Sequence, residues 1–184
     1  MKRTILVMTA VGAMACGSGS GGTNSSPAAT PAPAAAADRK YLLERVDEAA
    51  VVQLYADGFA ALPVRDKVLI WHLYQAAIAG RDIYYDQKYE HALEMRDVLE
   101  AIVTHPDGVD PKTLDEIQRY TKLFWINNGP FNNLTARKFV LKTTPEALAA
   151  ASQAARRAGA TFPVRNGETL DQLLARLKPA FFDA

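Results

Sequence analysis

The sequence predicts a mainly α-helical domain behind a disordered tether, with room for one or two short strands. Three observations carry this. A capping residue followed by proline occurs at Asp110-Pro111 and again at Thr144-Pro145. That pairing opens helices, because the first turn does not need the N–H that proline lacks. Met95, Val98, Leu99 and Ile102 recur at the three- and four-residue spacing of a single helical face. The stretch from Cys16 to Asp38 is otherwise Gly, Ser, Thr, Asn, Pro and Ala, which cannot build an apolar face.

Taken in order, the elements begin after the tether, near Asp38-Arg39. Residues 49–56 fit a short strand or a helix, since Val51, Val52 and Leu54 suit either period. Pro63 opens a helix that runs to about Ala79 and stops at Gly80. Val68, Leu69, Ile70, Trp71, Leu73, Tyr74 and Ile78 leave it almost no polar side, so it is expected at the centre of the core. Residues 90–103 form an amphipathic helix with Glu94, Arg96, Asp97 and Glu100 off its apolar face, ended by His105-Pro106-Asp107-Gly108. The helix from Pro111 carries Leu114, Ile117, Thr121 and Phe124 into an asparagine-rich loop. The helix from Pro145 closes at Gly159. A last helix over residues 170–177 stops before Pro179 and leaves Phe181-Phe182 short of cover.

The N-terminus reads as targeting. Lys2-Arg3 is a positive start, and residues 4–13 form an apolar run too short to span a bilayer. Ala13-Met14-Ala15-Cys16 resembles a bacterial lipobox, so residues 1–15 are expected to be a lipoprotein signal peptide and Cys16 the lipidated residue. The expected location is the bacterial cell envelope, at the periplasmic or outer-membrane face, with the membrane reached through the anchor at Cys16. Residues 16–38 would then be the tether and residues 39–184 the domain. Cys16 is the sole cysteine, so the domain has no internal disulfide to rely on. With 21 basic against 20 acidic residues, scattered along the chain, there is no basic stripe for nucleic acid.

Site chemistry is sparse. The three histidines, His72, His91 and His105, never fall four apart, so no two imidazoles share a helical face as zinc ligands. His72 is expected to be a packed core residue, and His91 and His105 to face solvent. There is no Gly-x-Ser-x-Gly, and the glycines of residues 17–22 follow no strand. Arg81 and Asp82 are expected to pair in a buried helix junction, with Tyr84, Tyr85 and Tyr89 over the core edge. The remaining candidate is Asn127-Asn128-Gly129-Pro130-Phe131-Asn132-Asn133. Its amides both donate and accept, and Gly-Pro turns the chain between the two pairs. Held by Trp125, Phe131 and Phe139, such a loop could grip an extended peptide, and it contains no group that could cut one. Asn and Gly-Pro are also ordinary turn formers, so scaffold and grip are equally open at this point.

Several runs together resemble the N-terminal portion of bacterial dipeptidyl peptidase III proteins. They are residues 69–77, Gly80-Arg81-Asp82-Ile83 with Asp86-Gln87, Met95-Arg96, Leu99-Glu100-Ala101, and Asn127-Asn128-Gly129 with Lys138-Phe139-Val140. These enzymes are two-lobed zinc exopeptidases that remove dipeptides from peptide N-termini. Their zinc sits on His-Glu-x-x-x-His and a further glutamate, none of which has a counterpart here. The resemblance implies that Asn127, Asn128, Gly129, Phe131, Asn132 and Leu134 border the peptide cleft. Leu134-Thr135 departs from the family's usual aromatic followed by Gly.

The expected function is therefore an N-terminal fragment of such a peptidase, supplying one cleft wall. It would have no catalytic residue, metal ligand or cofactor of its own, zinc belonging to the full-length family. Its expected partners are peptides and the missing C-terminal catalytic part. The alternative is a non-enzymatic envelope lipoprotein whose helical module binds peptides or a protein.

Overall fold

The computed structural model describes residues 39–184. The predicted signal peptide, Cys16 and the tether lie outside the described residues. Residues 42–184 form one unit, mainly helical with a small antiparallel sheet. Strand β1 (Leu42–Val46) pairs with β2 (Ala49–Val52) in a hairpin turned by Asp47-Glu48, with a register irregularity between Leu42 and Glu44. Asp47 takes the left-handed conformation, which aspartate tolerates because its carboxylate can bond locally. The ambiguous segment at 49–56 is thus a strand in its first half.

A 3-10 turn (Asp57–Ala61) leads to α1 (Val64–Ala79), which Gly80 joins to α2 (Arg81–Lys88). Then come α3 (Ala92–Thr104), α4 (Pro111–Asn127), α5 (Pro145–Arg157) and α6 (Leu170–Phe182). The starts of α4 and α5 follow the predicted caps. Asp110 Oδ2 accepts from Thr113 N at 2.9 Å, and Thr144 Oγ1 accepts from Ala147 N at 3.1 Å. Helix α6 opens with a reciprocal capping box between Thr169 and Gln172.

The core lies among α2 to α6. Met95, Val98, Leu99 and Ile102 of α3 are wholly buried, as the periodicity predicts. They meet Ile117, Tyr120 and Phe124 of α4 and Leu173, Leu177 and Phe181 of α6. Aromatic rings tie the layers: Tyr85 stacks on Phe124 at 5.9 Å, and Tyr120 leans on Phe181 at 6.1 Å.

Several expectations are corrected here. Helix α1 is not at the centre: none of its sixteen residues is buried. Its all-round apolar pattern measures how much cover the helix wants, and the described residues do not provide that cover. His72, on this helix, is accordingly exposed rather than packed. Helix α6 does not stop before Pro179 but runs through it to Phe182. An interior proline costs about 3 kcal/mol. Full burial of Phe181 contributes about 1.5–3 kcal/mol. Leu141 N also donates to Phe181 O at 2.9 Å, so tertiary contacts carry the helix past the break. Phe181 is therefore covered by the domain itself.

The junction of α2 and α3 is likewise rearranged. Arg81 and Asp82 form an exposed pair, and the buried cation is Arg96, expected on the polar side. Arg96 Nη1 donates to Asp82 Oδ1 at 2.5 Å and its guanidinium lies 5.0 Å from the Tyr85 ring centre. Tyr85 is buried and Tyr89 half-buried, while Tyr84 stands in solvent.

Candidate functional site

The asparagine-rich loop follows α4. Asn128 caps the helix in the left-handed conformation, with its N–H shared between Phe124 O and Trp125 O. Gly129 follows at φ 145°, a backbone region that side chains avoid. Trp125 Nε1 donates to Glu100 Oε1 at 2.9 Å, and Tyr89 meets Phe131 edge-on at 5.6 Å. Phe139 N donates to Pro130 O at 2.7 Å, and an isolated antiparallel bridge joins Phe131 to Lys138.

The Asn127 amide faces inward, while Asn133 stays exposed. Asn127 is buried, donates from Nδ2 to Leu123 O at 2.9 Å, and accepts at Oδ1 from Asn133 N at 3.0 Å. Asn132 Oδ1 accepts from Leu134 N at 2.8 Å and Thr135 N at 3.0 Å. Lys88, at the end of α2, donates to Asn127 O and to Asn133 Oδ1, clasping both ends of the turn. Burial lowers the Lys88 ammonium below its ordinary value. Burial also lowers Lys138, which donates to Pro179 O at 3.0 Å, with the Asp183 carboxylate acting in the opposite sense.

Beside this loop lies a groove of about 650 Å³. One wall is the hairpin tip at Asp47 and Glu48, the other runs from Asn132 to Leu134 and on through Arg137 to Val140, and Leu123 and Ile126 contribute apolar floor. Arg119 bridges the hairpin tip to α4. Its guanidinium donates to Asp47 Oδ2 at 2.6 Å and to both Glu116 carboxylate oxygens at 2.7 Å. Lys122 reaches Glu44 at 2.5 Å, so two cations of α4 hold the hairpin. The Arg119–Glu116 bonds help to lower the Glu116 carboxylate against its desolvation.

Of the sequence-predicted residues, the groove brings together Asn127, Asn132 and Leu134; Asn128, Gly129 and Phe131 build the turn behind it. The Asn127 amide and the Asn132 Oδ1 are occupied within the loop, so a ligand would meet the Asn132 Nδ2, Leu134 (95% exposed) and Arg137. Sequence reasoning passed over Lys88, Asp47, Arg119 and Arg137. Lys88 and Asn133 are 45 residues apart and Asp47 and Arg119 are 72 apart, so no local pattern relates them.

The zinc of the resembled family finds no ligand set in these residues. His72 is on exposed α1, His91 packs edge-on to Tyr89 at the start of α3, and His105 Nδ1 sits 3.2 Å from Ala101 O at its end. Among the described residues no three His, Cys, Asp or Glu converge on one point. No described helix is long and apolar enough to cross a membrane. No protein-family model and no curated protein matches the chain.

Proposed function

We propose that residues 39–184 form a wall of the peptide cleft in a dipeptidyl peptidase III-like zinc exopeptidase, anchored to the cell envelope through Cys16. The carrying observation is the groove between the hairpin tip and the loop that the resemblance marks as cleft-lining. Its lining joins the apolar Leu123, Ile126 and Leu134 to the charged Asp47, Glu48, Arg137 and Lys138, a combination that could take the side chains and charged end of a peptide. In this reading hydrolysis is the task of the catalytic part, since among the described residues no three His, Cys, Asp or Glu converge on one point.

Nuclear magnetic resonance titration with a tetrapeptide tests this. Expected are chemical-shift changes confined to residues 127–142 and the hairpin tip at millimolar peptide, with no dipeptide released from a chromogenic dipeptidyl substrate. Shifts absent from the groove at saturating peptide would overturn the cleft reading. Zinc-dependent turnover by the chain alone would overturn its non-catalytic role.

One observation favours the alternative, a stand-alone envelope lipoprotein that binds peptides or a protein. The core of α3 to α6 closes on itself, and Phe181 is already buried. A partner-free, monomeric cellular form of the chain would support that reading.

A further inference from the structure

The described residues contain two Asn-Gly steps, Asn128-Gly129 and Asn166-Gly167. An asparagine before glycine is prone to modify itself, because glycine has no side chain to shield its backbone nitrogen from the neighbouring amide carbon. The fold treats the two steps in opposite ways.

Gly129 is buried, and the nitrogen that would have to attack donates to Phe124 O at 3.0 Å. Asn128 is held in the left-handed cap of α4, and Pro130 O just beyond accepts from Phe139 N at 2.7 Å. Asn166 and Gly167, by contrast, are both exposed. They are the central residues of a turn closed by Glu168 N, which donates to Arg165 O at 2.9 Å, with Gly167 at φ 78°. A positive φ at the second central position alone is a type II turn. Among the described residues no group bonds to the Gly167 N–H, to Asn166 O or to the Asn166 side chain. A Cβ added at Gly167 would meet nothing within 4 Å. The central peptide plane can therefore rotate until Gly167 N reaches Asn166 Cγ. At Asn128 the same rotation breaks a buried hydrogen bond.

We propose that Asn166 is a site of self-modification. Gly167 N attacks Asn166 Cγ: a new N–C bond forms, the Cγ–Nδ2 bond breaks, and the amide nitrogen leaves as ammonia with the Gly167 proton. Water then opens the cyclic imide at either carbonyl, giving aspartate or isoaspartate. One water enters and one ammonia leaves, with no oxidation or reduction. The position of the turn gives this a consequence. Arg165 N donates to Glu168 Oε2 at 2.9 Å, and Glu168 accepts from Arg176, which also holds Glu94 of α3. Isoaspartate routes the main chain through an extra methylene between Arg165 and Glu168, which shifts the Glu168 carboxylate away from Arg176 and loosens the start of α6. Ordinary aspartate leaves the main chain as it was. The modification does not depend on what the groove binds.

The test incubates the full chain at physiological temperature and mildly alkaline pH, folded and in urea, and maps the products by peptide mass spectrometry with chromatographic separation of isoaspartate. In the folded chain Asn166 should convert about tenfold faster than Asn128, the factor that one retained hydrogen bond supplies. In urea, where neither turn survives, the two steps should react at similar rates. A folded chain in which Asn128 keeps pace with Asn166, or in which Asn166 stays intact while the unfolded chain converts, would overturn the site. As isoaspartate accumulates, the urea midpoint of the parent should fall, and that of Asn166→Gln, whose longer side chain disfavours ring closure, should hold. A parent midpoint that holds, or a variant midpoint that falls with it, would overturn the link to α6.

Discussion

Helices α1 and α3 are both rich in Leu, Ile and Val, yet they end in opposite environments. Helix α3 buries Met95, Val98, Leu99 and Ile102 against α4 and α6, while α1 buries none of its residues. The difference lies in the distribution of polar groups. Helix α3 carries Glu94, Asp97 and Glu100 off its apolar stripe, so one face can meet water and the other the core. Helix α1 has no such division, and a small domain cannot surround it. Apolar content alone therefore does not say where a helix sits; only a polar face tells the helix which side to bury.

The largest expected effect breaks this comparison if it fails. Leu99→Ala removes a fully buried side chain of α3 and should lower stability by about 2–5 kcal/mol, read as the urea midpoint. A loss under about 1 kcal/mol would mean that the α3 seam is not the core.

The loop comes next. Gly129→Ala should destabilise by about 1–3 kcal/mol through its φ of 145°, since the new Cβ itself would meet nothing closer than Lys88 at 3.9 Å. An unchanged midpoint would show that the turn relaxes, and that the clasp by Lys88 does not fix it.

How much of this was legible follows the range of each signal. The starts of α4 and α5 were readable because Asp110-Pro111 and Thr144-Pro145 act within one turn. The amphipathic face of α3 was readable because it repeats within one helix. Pro179 misled because a proline's local effect is a stop, and only contacts with Tyr120 and Leu141 carry α6 on. For α1 the pattern gave the amount of cover required and nothing about its source. The position of the asparagine loop was evident from Gly129-Pro130. The inward use of the Asn127 amide was not, because Lys88 acts on the loop from α2.

A smaller effect, read along the acid limb, concerns the tie between α3 and α6. Arg176 donates to Glu94 at 2.7 and 2.8 Å and to Glu168 at 2.9 and 3.1 Å. The Arg176 bonds hold the Glu168 carboxyl down at about 2 and lower Glu94 as well. A folded value below the unfolded one near 4.5 means stability present above pH 4.5 and lost as pH falls toward 2. Arg176→Met should flatten the stability curve in that window. An acid limb as steep as in the parent would assign the loss to other carboxylates.

The smallest effect on stability is expected on α1 itself. Leu69→Ser removes an apolar side chain of the same type as Leu99, but one that is 58% exposed. With few native contacts to lose, the midpoint should move by less than about 0.5 kcal/mol. The same change reduces the exposed apolar surface, so binding of a hydrophobic dye should fall measurably, whereas Leu99→Ala should not reduce it in the folded state. The pair of substitutions thus separates two properties that apolar content confounds. One helix contributes to the domain's own stability, and the other stands largely outside its core. A midpoint for Leu69→Ser that drops by 2 kcal/mol or more would place α1 inside the domain's core and remove the contrast.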